Sequence, residues 1–282
     1  MAEAIAANPE FVLERVLWLI AAALATGVVA GILAGLLGVG GGIVIVPVLY
    51  HIFPLLGIDE SVRMHLAVGT SLATIILTSI MSARAHARRG ALDRGLLAAY
   101  APGIVIGVLI GAFLGARARG ELLVLIFASV ALVVALDMAF RRRNVSLTDA
   151  PLKGLPAQII GFFIGGFSTV MGIGGGTFSV PAFTLMKVPV HRAVGTAAAI
   201  GLLISVPGAL GFLWNGLGSP YLPPGSVGYI SVPALAAIVP GTMLCAPLGA
   251  RIAHAISDRA LRGAFAVFLF LTSARMFYSA LA

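Results

Sequence analysis

The chain has 282 residues, 60% of them hydrophobic and only 10% charged, with a mean hydropathy of +1.09, which excludes a water-soluble domain of ordinary make-up. The net charge of +8 does not indicate nucleic acid, because Lys and Arg sit in short loops flanking apolar stretches, where membrane topology alone demands them. Many stretches approach the roughly 20 apolar residues that a lipid-spanning helix needs, so the function lies inside a helical bundle in the lipid bilayer.

The N-terminal MAEAIAANPEFVLERV carries Glu3, Glu10, Glu14 and Arg15 ahead of the first apolar run. It lacks the basic start of a signal peptide, so the first hydrophobic segment is expected to stay in the mature protein. Apolar runs then predict helices over about 15–37, 43–56, 64–83, 95–116 and 121–140. They resume over about 155–172, 177–188, 191–213, 228–250 and 259–281, five segments per half.

The halves echo one another. GLLGVGGGIVIVP at 35–47 is answered by TVMGIGGGTFSVP at 169–181, so that Gly38, Gly40, Gly41, Gly42 and Pro47 recur at an offset of 134. HLAVGTS at 65–71 is answered by HRAVGTA at 191–197 at an offset of 126, and LGAR at 114–117 by LGAR at 248–251 at 134. Three matches in the same order predict duplication, with a first membrane repeat over 1–150 and a second over 151–282. An odd number of segments per half inverts the second copy, so the expected fold is all-α and polytopic, with two inverted-topology repeats.

Basic residues set the orientation. With the N-terminus outside, Arg84, Arg88, Arg89, Arg94, Arg141, Arg142, Arg143, Lys153, Lys187, Arg192, Arg251, Arg259 and Arg262 fall on the cytoplasmic side. Only Arg15, Arg63, Arg117, Arg119 and Arg275 fall outside, and Trp18, Trp214, Tyr229 and Tyr278 lie near the outer interface. The expected location is the cell membrane.

Segments 43–56 and 177–188 are too short, at 1.5 Å per residue, to cross about 30 Å unaided. Each follows a glycine run and carries a proline, Pro47 or Pro181, a pattern that points to a binding site at mid-membrane. The amides of Gly40, Gly41, Gly42 and Ile43, and of Gly174, Gly175, Gly176 and Thr177, would form helix N-termini that bind an anion through unpaired N–H groups and partial positive charge. The glycines would equally serve close packing or a tight turn between spans. No phosphate-loop Lys-Ser/Thr follows them, which excludes nucleotide binding.

Thr70, Ser71 and Thr196 are placed to complete a polar cavity, although helix hydroxyls often bond their own backbone, and Thr70, Thr74 and Thr78 share one face. No Asp, Glu, Lys or Arg falls at mid-membrane; Asp137 is expected to pair with Arg141, while His65 and His191 occupy equivalent interfacial positions. Cys245 reads as a packed small residue, and neither a metal-ligand spacing nor a catalytic dyad or cofactor motif is present.

With GxGGGxxxxP in both halves, the HxAVGT pairs and the basic loop AHARRGALDRG at 85–95, the chain resembles the TauE/SafE family of sulfite and sulfonate exporters. The resemblance implies a plasma-membrane permease for sulfur-containing or other organic anions, with eight or nine helices against the ten segments counted. The expected function is alternating-access transport of a small inorganic or organic anion, with passive conduction by an anion channel or uniporter as the alternative, and no enzymatic activity. The partners expected are the anion and the bilayer, and a homo-oligomer is compatible with the sequence.

Overall fold

The computed structural model describes residues 9–37, 40–140, 148, 150–252 and 258–281. Gly38 and Arg141, Arg142 and Arg143 lie outside the described residues, as do the side chains of Arg15, Trp18, Arg259 and Arg262. Among the described residues the first half supplies α1 (Pro9–Leu37), α2 (Gly42–Ile52), α3 (Glu60–Arg88), α4 (Arg94–Gly115) and α5 (Gly120–Phe140). The second supplies α6 (Leu155–Met171), α7 (Gly176–Leu185), α8 (Val190–Gly216), α9 (Val232–Ile252) and α10 (Asp258–Leu281).

Helices α3, α4, α5, α8 and α9 are long and apolar enough to cross a membrane, and shorter apolar helices occupy Ala21–Leu36, Gly42–Leu56, Leu155–Met171 and Ala266–Ala280. Large apolar side chains such as Phe113, Val133, Phe140, Phe163 and Leu271 are exposed on the outside, while Ser and Thr are buried within. That reversal of the water-soluble pattern suits a lipid solvent. The chain is a polytopic all-α membrane protein.

Local chemistry sets the helix ends. Asp59 caps α3 by accepting from the Ser61 amide at 2.9 Å, and Asp93 caps α4 by accepting from Leu96 at 2.9 Å. Helix α2 gives way to a 3-10 turn over Phe53–Leu56, closed by the left-handed Gly57. With 11 and 10 residues, α2 and α7 reach only ~16 and ~15 Å, about half of the hydrocarbon thickness.

Helices α3 and α8 form the centre: 72% and 61% of their most apolar windows are buried, against 28% for α9. They pack on each other, α1 packs chiefly on α9, α4 on α6, and α5 on α10. Exchanging the halves leaves this pairing unchanged. Two of the pairs rest on glycine approaches: a Cβ on Gly165 of α6 would meet the Ile104 carbonyl oxygen of α4 at 2.2 Å, and one on Gly31 of α1 would meet Thr242 of α9 at 2.8 Å. Gly31 and Gly165 are themselves 134 residues apart.

The loop between α8 and α9 holds a feature that the hydropathy pattern does not signal. Ser226–Val227 and Ile230–Ser231 form a minimal antiparallel hairpin, with Ser226 opposite Ser231 and Val227 opposite Ile230. Two-residue strands are too short to show an alternating pattern.

Candidate substrate-binding site

Each glycine run turns the chain into a short helix, but the two turns differ. In the first half Gly40 and Gly41 are both left-handed, with φ of 73° and 81°. Gly41 caps α2, its carbonyl accepting from Val44 at 3.0 Å and Ile45 at 3.2 Å. In the second half α6 ends in a Schellman turn at left-handed Gly172, where Gly172 N–H bonds Thr169 O at 3.1 Å and Ile173 N–H bonds Ser168 O at 2.9 Å. Gly175, which caps α7, has an ordinary φ of −58°. There the need for glycine is spatial, since a Cβ would lie 2.7 Å from Ile200 Cγ2 and 2.8 Å from Ala197 O.

The structure brings the two runs together. A Cβ on Gly40 would lie 3.3 Å from Gly174 Cα, and one on Gly42 would lie 2.3 Å from Gly172 O and 2.9 Å from Ile173 Cα. Ser71 ties the junction to α3 by donating to Gly172 O at 2.7 Å. Gly40 to Pro47 and Met171 to Thr177 are all buried. Helix N-termini carry partial positive charge, roughly half an elementary charge each, and their first amides have no acceptor within the helix. Two such ends therefore converge in the interior, where no Asp, Glu, Lys or Arg among the described residues is buried.

The hydroxyls divide by role. Thr70 Oγ1 accepts from the Ser231 amide at 2.9 Å, and Thr196 Oγ1 accepts from the Asp93 amide at 3.0 Å. Thr70 and Thr196 thus hold the chain entering α9 and α4, each from the opposite half. The preceding residues, Gly69 and Gly195, make room for Tyr229 O and Ala91 O. Thr74 and Thr78 bond their own helix carbonyls, at Thr70 O (2.9 Å) and Thr74 O (3.0 Å). Thr177, only 5% exposed, has a hydroxyl without a hydrogen-bond partner.

Residues 23–276 match the family described as sulfite exporter TauE/SafE. The chain belongs to the TauE/SafE family. A Haemophilus influenzae relative named "Probable membrane transporter protein" is 37% identical over 254 residues, covering 90% of this chain and 96% of that protein. Relatives similarly named as membrane transporters occur in Methanocaldococcus jannaschii, 28% identical over 80% of this chain and 84% of its own length, and in Bacillus subtilis, 26% identical over 89% and 95%. No solved structure matches the chain. As a TauE/SafE protein, the chain is a membrane transporter.

In this TauE/SafE member Ser168, Ser179 and Ser205, which no motif marks, are like Thr177 buried with unpartnered hydroxyls. Such a group costs about 1–3 kcal/mol when left unmade. Ser168 and Ser205 have the carbonyls of Ile164 and Gly201 four residues back, the habitual partners of a helix hydroxyl, and do not use them. A signal was available for Ser205, which stands 126 residues after the buried Ser79 of α3, at the same offset as the HxAVGT pair.

The equivalent histidines part company. His65 is buried, with Nε2 on Ala118 O at 2.9 Å and its ring 4.9 Å from that of Tyr229, while His191 is exposed. Beside His191, Arg192 donates to Asp93 at 2.8 Å. Among the described residues no cluster of His, Cys, Asp or Glu could hold a metal ion. A groove of about 320 Å³ between α4 and α8, lined by Leu109, Phe113, Leu210 and Trp214, lies apart from the glycine turns on an apolar outer face.

Proposed function

We propose that this transporter is a cell-membrane permease for a small anion, either sulfur-containing, such as sulfite or a sulfonate, or a small carboxylate. It operates by alternating access between two inverted repeats, residues 1–150 and 151–282, with both termini outside. The contact of the two glycine turns, Gly40 against Gly174 and Gly42 against Gly172, carries this reading, because it gathers two helix N-termini in the buried centre of the molecule. The binding residues are then the amides of Gly40, Gly41, Gly42, Ile43, Gly174, Gly175, Gly176 and Thr177, with Thr70, Ser71 and Thr196 fixing the helices around them.

The family description supports a sulfur anion as cargo, and a neutral donor site is compatible with it. The test is uptake by proteoliposomes of sulfite, sulfoacetate, thiosulfate and acetate. Gly41→Leu and Gly175→Leu are expected to abolish flux, scored only in the fraction that stays monodisperse in detergent; undiminished flux in both removes the glycine site. The lack of buried acidic or basic side chains among the described residues favours one second reading, a passive anion channel or uniporter, because coupled carriers usually bury such groups. Imposed pH and sodium gradients separate the two: a coupled carrier accumulates the anion against its gradient and a passive pathway only equilibrates it.

A further inference from the structure

The two glycine turns are not equal partners, and we infer that the cargo anion is bound by the second turn alone, through the α7 amides together with the hydroxyls of Thr177, Ser205 and Ser79. The first turn is a sealed structural counterpart that backs the site. This inference rests on the permease reading and narrows its two-turn site to the second turn, so that Gly40, Gly41, Gly42 and Ile43 pack against the site rather than bind the anion.

Side chains at matching positions carry the distinction. Residues 134 apart place Thr177 against Ile43 and Ser179 against Ile45. Ile43 and Ile45 are both fully buried and give the first turn of α2 no side-chain donor at these two places. A Cβ there would meet Gly172 O from Gly42 and Ala30 O from Gly41, so carbonyl oxygens rather than donors line this turn. The first turn of α7 instead carries Thr177 and Ser179, 5% and 0% exposed, whose hydroxyls have no hydrogen-bond partner. A buried donor left unpaired beside unpaired amides is a site awaiting an acceptor.

The central helices supply the rest. A Cβ on Gly201 of α8 would lie 2.4 Å from Ser79 Oγ and 3.8 Å from the Gly175 amide nitrogen. The absence of that carbon leaves a hydroxyl of α3 and the α7 cap within about 6 Å of each other, a span that one oxyanion bridges with two ordinary hydrogen bonds. Ser205 is one helical turn beyond Gly201 on the same face, and the next residue of that face, Gly208, meets Leu72 of α3 and Thr169 of α6. Ser205, its hydroxyl unpartnered, therefore shares the α8 face whose glycines pack on α3, α6 and the α7 cap. The hydroxyls and amides gathered there can each donate a hydrogen bond and none carries a formal charge, which suits an anionic head with several acceptor oxygens, a sulfonate, sulfite or carboxylate.

Matched isosteric variants test the inference in proteoliposomes loaded for sulfite exchange, with acetate as the carboxylate arm. Thr177→Val and Ser205→Ala are each expected to raise the half-saturating concentration at least tenfold while maximal flux falls less. Thr177→Ser is expected to restore it, and Ile45→Val, at the place that matches Ser179, to leave it unchanged. Wild-type affinity in both Thr177→Val and Ser205→Ala, or an equal loss in Ile45→Val, overturns the one-sided site. These outcomes remain distinct from failure of the permease reading, in which the wild-type protein moves neither anion.

Discussion

The amide of Asp93 donates to the hydroxyl of Thr196, 3.0 Å away and 103 residues further along the chain. At the corresponding place in the other half, the amide of Ser231 donates to Thr70 at 2.9 Å. Because each bond fastens the start of a helix in one half to a central helix of the other, the Gly-Thr pairs act as clasps between halves.

Replacing Thr196 or Thr70 with Val keeps the shape of the side chain and strands a backbone amide. Each variant is expected to lose about 1–3 kcal/mol of stability, read as a lower midpoint of thermal unfolding in detergent. Thr→Ser at either site should recover most of the loss. The half-saturating anion concentration should stay at the wild-type value, in contrast to Thr177→Val.

The Asp93 carboxylate has two tasks, accepting from Leu96 at 2.9 Å and from Arg192 at 2.8 Å. Arg192 is 56% exposed, so its ion pair is worth at most about 1 kcal/mol and is screened by salt. Arg192→Gln should therefore shift the unfolding midpoint slightly, and molar salt should erase the difference. Asp93→Ala, which also removes the cap of α4, should cost about 1 kcal/mol more and retain that deficit in salt.

Glycine substitutions should separate contact from propensity. Gly165→Ala places a methyl 2.2 Å from the Ile104 carbonyl oxygen and is expected to force α4 and α6 apart, lowering the yield of monodisperse protein. Gly263→Ala in α10 meets nothing within 4 Å and should be neutral or stabilising by up to about 1 kcal/mol, through helix propensity alone. Paired thermal melts check both.

Asp59, exposed at the start of α3, has its carboxyl held below the ordinary 3.8 by the Ser61 hydroxyl, then by the Ser61 amide, with a smaller contribution from Arg63. A carboxyl lowered on folding adds stability that is complete above its unfolded value and disappears as pH falls through the lower folded one. Wild type should thus melt above Asp59→Ala at neutral pH, and the gap should close in strong acid. A gap that persisted there would assign the effect to packing rather than charge.

Much of the fold was legible because Gly, Pro and charge punctuate long apolar runs. α4 and α5, bounded by Asp93, Arg94 and Arg119, fall within a residue or two of their sequence limits. Helix α3 runs to Arg88, beyond the apolar segment, because its basic last turns need no burial. The unlike conformations of the two glycine turns were not legible from near-identical motifs. Gly175 is fixed by Ile200 and Ala197, which come from another helix and lie in no local pattern. The partners of Thr70 and Thr196 were hidden for the same reason, being 161 and 103 residues away in sequence. Ser79 and Ser205 shared a visible spacing, but helix serines so often bond their own backbone that spacing alone could not single them out.

The left-handed pair Gly40–Gly41 has a consequence for how such a protein can diverge. Neither codon can drift to another amino acid without straining the main chain, so the backbone at this junction is frozen across descendants. Under the one-sided site proposed above, new cargo preferences would arise at the neighbouring hydroxyl-bearing positions instead, where loss of one oxygen removes a donor and leaves the scaffold intact.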